Sequence, residues 1–140
     1  MHRKATAIWH GNLKNGSGTL STESGVLKQT QYSFSTRFES GNGTNPEELL
    51  AAAHAGCFAM ALSNELGNNG MVPKTLEATA NIKLEKVSDG FVITESHIDL
   101  IADIPGADKD KFDAAVKTAE TGCPVSKLFK ANISVSAKLK

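Results

Sequence analysis

Arginine is nearly absent: of fifteen basic side chains only Arg3 and Arg37 carry guanidinium groups, and the rest are lysines. Fifteen acidic side chains balance them to a formal net charge of +0 at pH 7, and no Lys/Arg block stands out. Without that electrostatic footprint, neither nucleic acid nor an anionic membrane is an expected partner. Also missing are a P-loop, a G-x-G-x-x-G and a G-x-S-x-G, so nucleotide and serine-hydrolase chemistry have no support and no cofactor is expected. The N-terminal stretch MHRKATAIWHG has basic residues but no apolar h-region, and the longest apolar stretch, Leu49 to Leu62, is broken by His54 and short for a bilayer span. A cytoplasmic protein is the expectation. Cysteine is scarce too, and Cys57 and Cys123 lie far apart in the chain. In a reducing compartment such a pair reads as free thiols, or as a redox or metal site, before it reads as a structural disulfide.

What is present fits one domain over residues 1–140, with 40% hydrophobic residues and no low-complexity segment. KATAIWHG, GSGTLST and, more weakly, QYSFSTRF read as strands, the first two forming an N-terminal β-hairpin. Pro46 suits a first helical position, with Asn45 as cap and Glu48 completing a capping box. Leu50, Ala53, Cys57, Met60 and Ala61 then recur at helical spacing to about Leu66, which places Cys57 on the expected buried stripe. Leu76, Ala78, Ala80, Ile82 and Leu84 alternate with polar residues, SDG turns the chain at Ser88 to Gly90, and Ile98, Leu100, Ala102 and Ile104 alternate in a second long strand. Asp108 caps an amphipathic helix that buries Phe112, Ala115, Val116 and Ala119 and ends at Gly122. Cys123 then caps a short helix opened by Pro124, and Ile133 to Leu139 alternate in a closing strand. This order predicts an α+β fold in which a largely antiparallel sheet packs on a central apolar helix.

A cysteine on an apolar helix is by default a small buried hydrophobe, because burial raises the thiol pKa and silences the sulfur. Reactivity at Cys57 requires a cation, and Arg37, just before the loop that leads into this helix, is the available one. Glu47 is a candidate counter-charge for it, since Glu48 is already explained by capping. Cys123, at a helix N-terminus, occupies one of the environments that lower a thiol pKa. The two cysteines are compatible with a peroxidatic and resolving couple. A weaker alternative is a zinc site, with His54 and Cys57 one helical turn apart and Cys123 as third ligand.

The stretches TRFESGNGTNPEELLAAAHAGCFAMAL and TGCPVSKLFKANI closely resemble the family of osmotically inducible protein C and organic hydroperoxide resistance proteins, bacterial thiol peroxidases. Arg37 placed before GTNPEE is similar to the osmotically inducible branch; the other branch carries its arginine near residues 11 to 18, where this chain has only Lys14. The resemblance implies Cys57 as peroxidatic cysteine, Cys123 as resolving cysteine, and Arg37 and Glu47 as the catalytic arginine and glutamate. It further implies organic hydroperoxides as substrates, hydrogen peroxide as a weaker one, a Cys57–Cys123 disulfide, a dihydrolipoamide-like dithiol reductant and a role in oxidative and osmotic stress defence. An intertwined homodimer with sites at its interface is also implied. Helix geometry points the same way: ten residues of one helix separate Glu47 from Cys57 by about 15 Å along the axis, so Arg37 and Glu47 are expected to complete the site of a partner chain. The alternative is a non-enzymatic domain whose apolar pocket binds a hydrophobic ligand.

Overall fold

Capping chemistry and strand periodicity partition the chain into ten elements, and the computed structural model describes residues 1–140. Two compact units result, Met1–Leu49 and Leu50–Lys140.

In the first unit, β1 (Ala5–His10), β2 (Ser17–Thr22) and β3 (Thr30–Ser33) form an antiparallel sheet in that order. Gly18 lies opposite Tyr32, and a Cβ there would run into the tyrosine ring, so the ring occupies the space that glycine leaves. Tyr32 in turn tilts against Trp9, with ring centroids 5.3 Å apart. The expected third strand is cut short. Ser33 ends β3 and caps α1 (Phe34–Phe38): its hydroxyl accepts from the Thr36 N–H, while the Thr36 hydroxyl accepts from the Ser33 N–H. That reciprocal cap, together with Phe34 stacking on Phe38 at 4.8 Å, turns an alternating pattern into one and a half turns of helix.

Helix α2 (Pro46–Asn68) starts where Asn45 and Pro46 predict, and the Asn45 side chain accepts from the Glu48 N–H at 2.8 Å. The reciprocal half of the capping box does not form, because the Glu48 carboxylate accepts instead from the Thr44 hydroxyl at 3.2 Å. The buried stripe is also rotated from the expected one. His54, Phe58, Leu62 and Leu66 face the core, Cys57 is only half-buried, and Met60 is 78% exposed. A helix with apolar residues all round has no polar face to fix its phase; the large side chains of Phe58, Leu62 and Leu66 set it. By length and composition alone α2 is also apolar enough to cross a membrane, longer than the apolar run suggested, but this one face is built into the second unit's core.

The second unit has its own sheet, so the expected single sheet is two. β4 (Thr75–Val87) and β5 (Gly90–Asp103) make the long hairpin, with Gly90 at φ 130 leaving the turn. After α3 (Lys109–Gly122) and α4 (Pro124–Leu128), β6 (Asn132–Leu139) returns parallel to β5. Two intervening helices make that pairing possible, since a parallel return needs a long crossover. Asp108 and Cys123 cap α3 and α4 as their positions predict. Phe58, Leu62 and Leu66 pack with Ile98, Leu100 and Ala102 of β5 and with Phe112, Ala115, Val116 and Ala119 of α3.

This phase assignment is testable by urea denaturation. Leu62→Ala is expected to cost about 2–5 kcal/mol as a cavity in a closed core, against about 1 kcal/mol for the lost cap in Asn45→Ala. A smaller loss at Leu62 than at Asn45 would place the core face elsewhere on α2.

Candidate active site: a thiol pair and an arginine–glutamate clamp

Two clusters hold the residues singled out by sequence, one in each unit. In the first, Arg37 at the end of α1 meets Glu47 in the first turn of α2. The guanidinium donates through Nε to Oε1 and Oε2 at 3.1 and 3.2 Å, and through Nη2 to Oε1 at 2.7 Å. This two-pronged pairing fixes the plane of the guanidinium as a lysine could not. The Arg37 head also lies 5.2 Å over the Phe38 ring. Beside it opens a cleft of about 290 Å³ lined by Trp9, Leu13, Tyr32, Phe34, Phe38 and Arg37 itself, an apolar recess with one cationic wall.

The second cluster is built on α2, α4 and β5. Cys57 of α2 and Cys123, the cap of α4, are both free thiols and hydrogen-bond to each other. Cys123 is fully buried and Cys57 partly exposed. Burial pushes the Cys57 thiol up; a backbone bond with Val125 works against this, and the neighbouring Cys123 adds to it by hydrogen bonding and by repulsion between two thiolates. At Cys123 burial opposes the thiolate as well, but the Ser126 hydroxyl at 3.2 Å, the Ser126 N–H at 3.3 Å, the Cys57 thiol and the Val125 backbone outweigh it and pull the thiol below its ordinary value. Within this unit the surroundings therefore favour the thiolate form more at Cys123 than at Cys57. None of the groups acting on Cys57 is a cation.

Sequence reasoning weighed His54 only as a zinc ligand. Its ring is fully buried, with Nδ1 2.6 Å from the Ser96 hydroxyl and Nε2 2.8 Å from the Ser126 hydroxyl. Both nitrogens thus face serines, and no group of three His, Cys, Asp or Glu side chains converges anywhere in the chain. Ser96 and Ser126 were missed. The available signal was phase: Ser96 occupies the core-facing position that Ile98, Leu100 and Ala102 continue, and polar residues at core phase are buried for a partner.

A half-exposed thiol touching a buried, hydrogen-bonded thiol in an α+β chain that also carries an anchored arginine is the arrangement expected of a dithiol redox protein. Comparison with known proteins gives the class its family. Residues 39–138 match the OsmC-like protein family. Over 140 residues the chain is 49% identical to Peroxiredoxin OsmC of Escherichia coli (strain K12), covering 100% of this chain and 98% of that one. The crystal structure of the organic hydroperoxide resistance protein OhrB of Bacillus subtilis superposes with a TM-score of 0.68 at 26% identity, covering 98% of each chain. An OsmC-like protein of unknown function from Vibrio cholerae, VCA0330, shares the fold at a TM-score of 0.79 and 13% identity, over 99% of each chain. The chain belongs to the OsmC-like family.

Removing one thiol tests the effect of the pair on Cys57. In Cys123→Ala the thiolate absorbance of Cys57 at the ultraviolet edge is expected to titrate at lower pH than in the intact pair, because the neighbour that pushes the Cys57 thiol up is gone. A midpoint that stays or rises would mean that burial alone sets it.

Proposed function

We propose that this protein is a thiol peroxidase that reduces organic hydroperoxides, and hydrogen peroxide more weakly, to alcohol or water. The observation that carries the reading is the contact between Cys57 and Cys123, both reduced, with only Cys57 open to solvent. The name Peroxiredoxin OsmC on a relative 49% identical over the whole chain supports it. In the first step the Cys57 thiolate attacks the distal oxygen of R–O–O–H; the O–O bond breaks, R–O⁻ leaves and takes up a proton, and Cys57 becomes a sulfenic acid. Cys123 then attacks the Cys57 sulfur, expelling hydroxide that leaves as water, and a Cys57–Cys123 disulfide remains. A dithiol of the dihydrolipoamide type reopens it by two successive exchanges and is itself oxidised to a cyclic disulfide.

The cation that step one needs is Arg37, oriented by Glu47. Glu47 and Cys57 ride on one continuous helix, about 15 Å apart along its axis, so the Arg37–Glu47 clamp is assigned to Cys57 of a second copy, and the working unit is a homodimer of single-domain chains. Exposed Ile8 and Leu13 in the first unit, and separately exposed Met60 in the second, support burial of apolar surface by a partner. The aromatic cleft beside Arg37 suits the carbon portion of an organic hydroperoxide. A cytoplasmic location, where thiols stay reduced, belongs to the same reading. The cleft also favours the second reading, a binding domain for a hydrophobic ligand in which the thiols are bystanders.

Stopped-flow consumption of cumene hydroperoxide separates the two. Cys57→Ser is expected to lose turnover by a factor on the order of 10³ or more, whereas Cys123→Ser completes a single oxidation and stalls as a sulfenic acid. Arg37→Lys keeps the charge, loses the fork, and is expected to cost about 10²-fold in kcat/KM. Turnover at the unmodified rate in Cys57→Ser would end the peroxidase reading and leave the ligand-binding one.

A further inference from the structure

The buried His54 has no part in the chemistry above, although it lies one residue away from contact with it. From Cys123 an unbroken line of hydrogen-bonding groups runs inward: Sγ to the Ser126 hydroxyl at 3.2 Å, that hydroxyl to His54 Nε2 at 2.8 Å, and Nδ1 to the Ser96 hydroxyl at 2.6 Å. His54, Ser96 and Ser126 are buried, and no buried side-chain polar atom lacks a partner. The edge of the Phe129 ring closes the imidazole off at 5.2 Å. Four polar groups from α2, β5 and α4 in the middle of an apolar unit are expensive unless each is satisfied, and apolar residues of like volume would fill the space at less cost.

We infer that Ser126 and His54 form a proton relay for Cys123, receiving its proton as it attacks the Cys57 sulfenic acid and returning it to Cys123 when the reductant reopens the disulfide. The inference rests on the thiol-peroxidase reading and adds to it the route of one proton. A neutral imidazole has one donor and one acceptor nitrogen, and a hydroxyl can donate and accept, so the line can be polarised in either direction. With the proton on Cys123, S–H donates to Ser126, Ser126 donates to Nε2, and Nδ1–H donates to Ser96. As the sulfur gives up its proton two hydrogens move one place inward, from sulfur to the Ser126 oxygen and from that oxygen to Nε2; the Ser126 hydroxyl then donates to the thiolate, and Nδ1–H goes on donating to Ser96. The S–S bond forms as the S–OH bond breaks, and the hydroxide expelled at the half-exposed Cys57 takes its proton from solvent; when a reductant thiolate attacks the Cys57 sulfur and Cys123 leaves, reversing the relay restores the Cys123 S–H. Burial keeps the imidazole below its ordinary pKa, which favours return of the proton once the Cys123 thiolate reappears.

The titratable groups that face Cys123 are Cys57 from α2 and, behind Ser126, His54. The charged side chains of the adjoining helices are engaged or exposed: Lys117 pairs with Glu120 on α3, and Lys127 of α4 faces solvent. Ser126 touches the reacting sulfur, whereas His54 is a positioning residue that acts through it.

Ser126→Ala removes the hydroxyl but keeps the backbone N–H bond to Cys123; Ser126→Thr restores a hydroxyl; His54→Gln keeps a polar partner for Ser126 but cannot take a proton. In the full chain carrying Cys57→Ser, thiolate absorbance is titrated without any peroxide. Ser126→Ala is expected to raise the Cys123 midpoint by roughly one to two pH units, and Ser126→Thr to bring it back. In the chain with both cysteines, rapid quenching after cumene hydroperoxide, with dimedone as the trap, is expected to show Cys57 sulfenic acid accumulating in Ser126→Ala and His54→Gln. Disulfide formation there should be slowed about 10²-fold. An unmoved midpoint, or a disulfide rate equal to that of the unmodified chain, in folded Ser126→Ala overturns the relay. Absence of any sulfenic acid in Cys123→Ser, where no resolving thiol can remove it, overturns the peroxidase reading instead, and the titration still decides whether Ser126 holds the Cys123 thiolate.

Discussion

A thiolate among apolar side chains is the constraint on which the rest of the structure turns. Cys57 and Cys123 meet where burial works against both of their charged forms, and within their own unit only hydrogen bonds are on offer. Those bonds converge on Cys123, which caps a helix and faces the hydroxyl and N–H of Ser126. Cys57, the more open of the two, is pushed the other way. A protein that uses Cys57 as a nucleophile must bring a cation to it from outside that unit, and the chain's second arginine, clamped by Glu47 in a two-pronged bond, is the cation we propose for that purpose.

Helix α2 connects the parts. Its first turn supplies Glu47 to hold Arg37, and its middle supplies Cys57 on the flank and His54 on the buried face. A helix is a rigid ruler, so the separation between clamp and thiol along one chain is fixed by residue count. The same rigidity gives the buried polar line its precision, because His54 is positioned by the helix and by serines from two other elements rather than by a loop.

Local chemistry was readable wherever a residue's own preferences settled the outcome. Asn45, Asp108 and Cys123 announce helix starts, Gly90 a turn, and the two long strands their alternation. Arg37 and Glu47 could be paired by scarcity and by the lack of a competing explanation for the glutamate. What sequence could not decide was set by neighbours in space. The segment from Phe34 became a helix because Ser33 and Thr36 cap each other, which competes with strand pairing only once the sheet has ended. The buried face of α2 was misjudged by one residue, since an all-apolar helix acquires its orientation from what packs against it. The split into two sheets and the parallel return of β6 depend on long-range register. His54 could be seen as unusual, but its partners come from Ser96 and Ser126, far along the chain.

The central claim, that the thiol of one chain is served by the arginine of another, is tested most directly by mixing two inactive variants. Cys57→Ser retains Arg37 and lacks the thiol; Arg37→Ala retains the thiol and lacks the guanidinium. If the clamp acts across the dimer, subunit exchange assembles one complete site per mixed dimer, and hydroperoxide consumption returns above that of either variant alone. If Arg37 serves Cys57 of its own chain, no mixed dimer holds a complete site, and activity staying at the level of the separate variants after verified exchange would contradict the account.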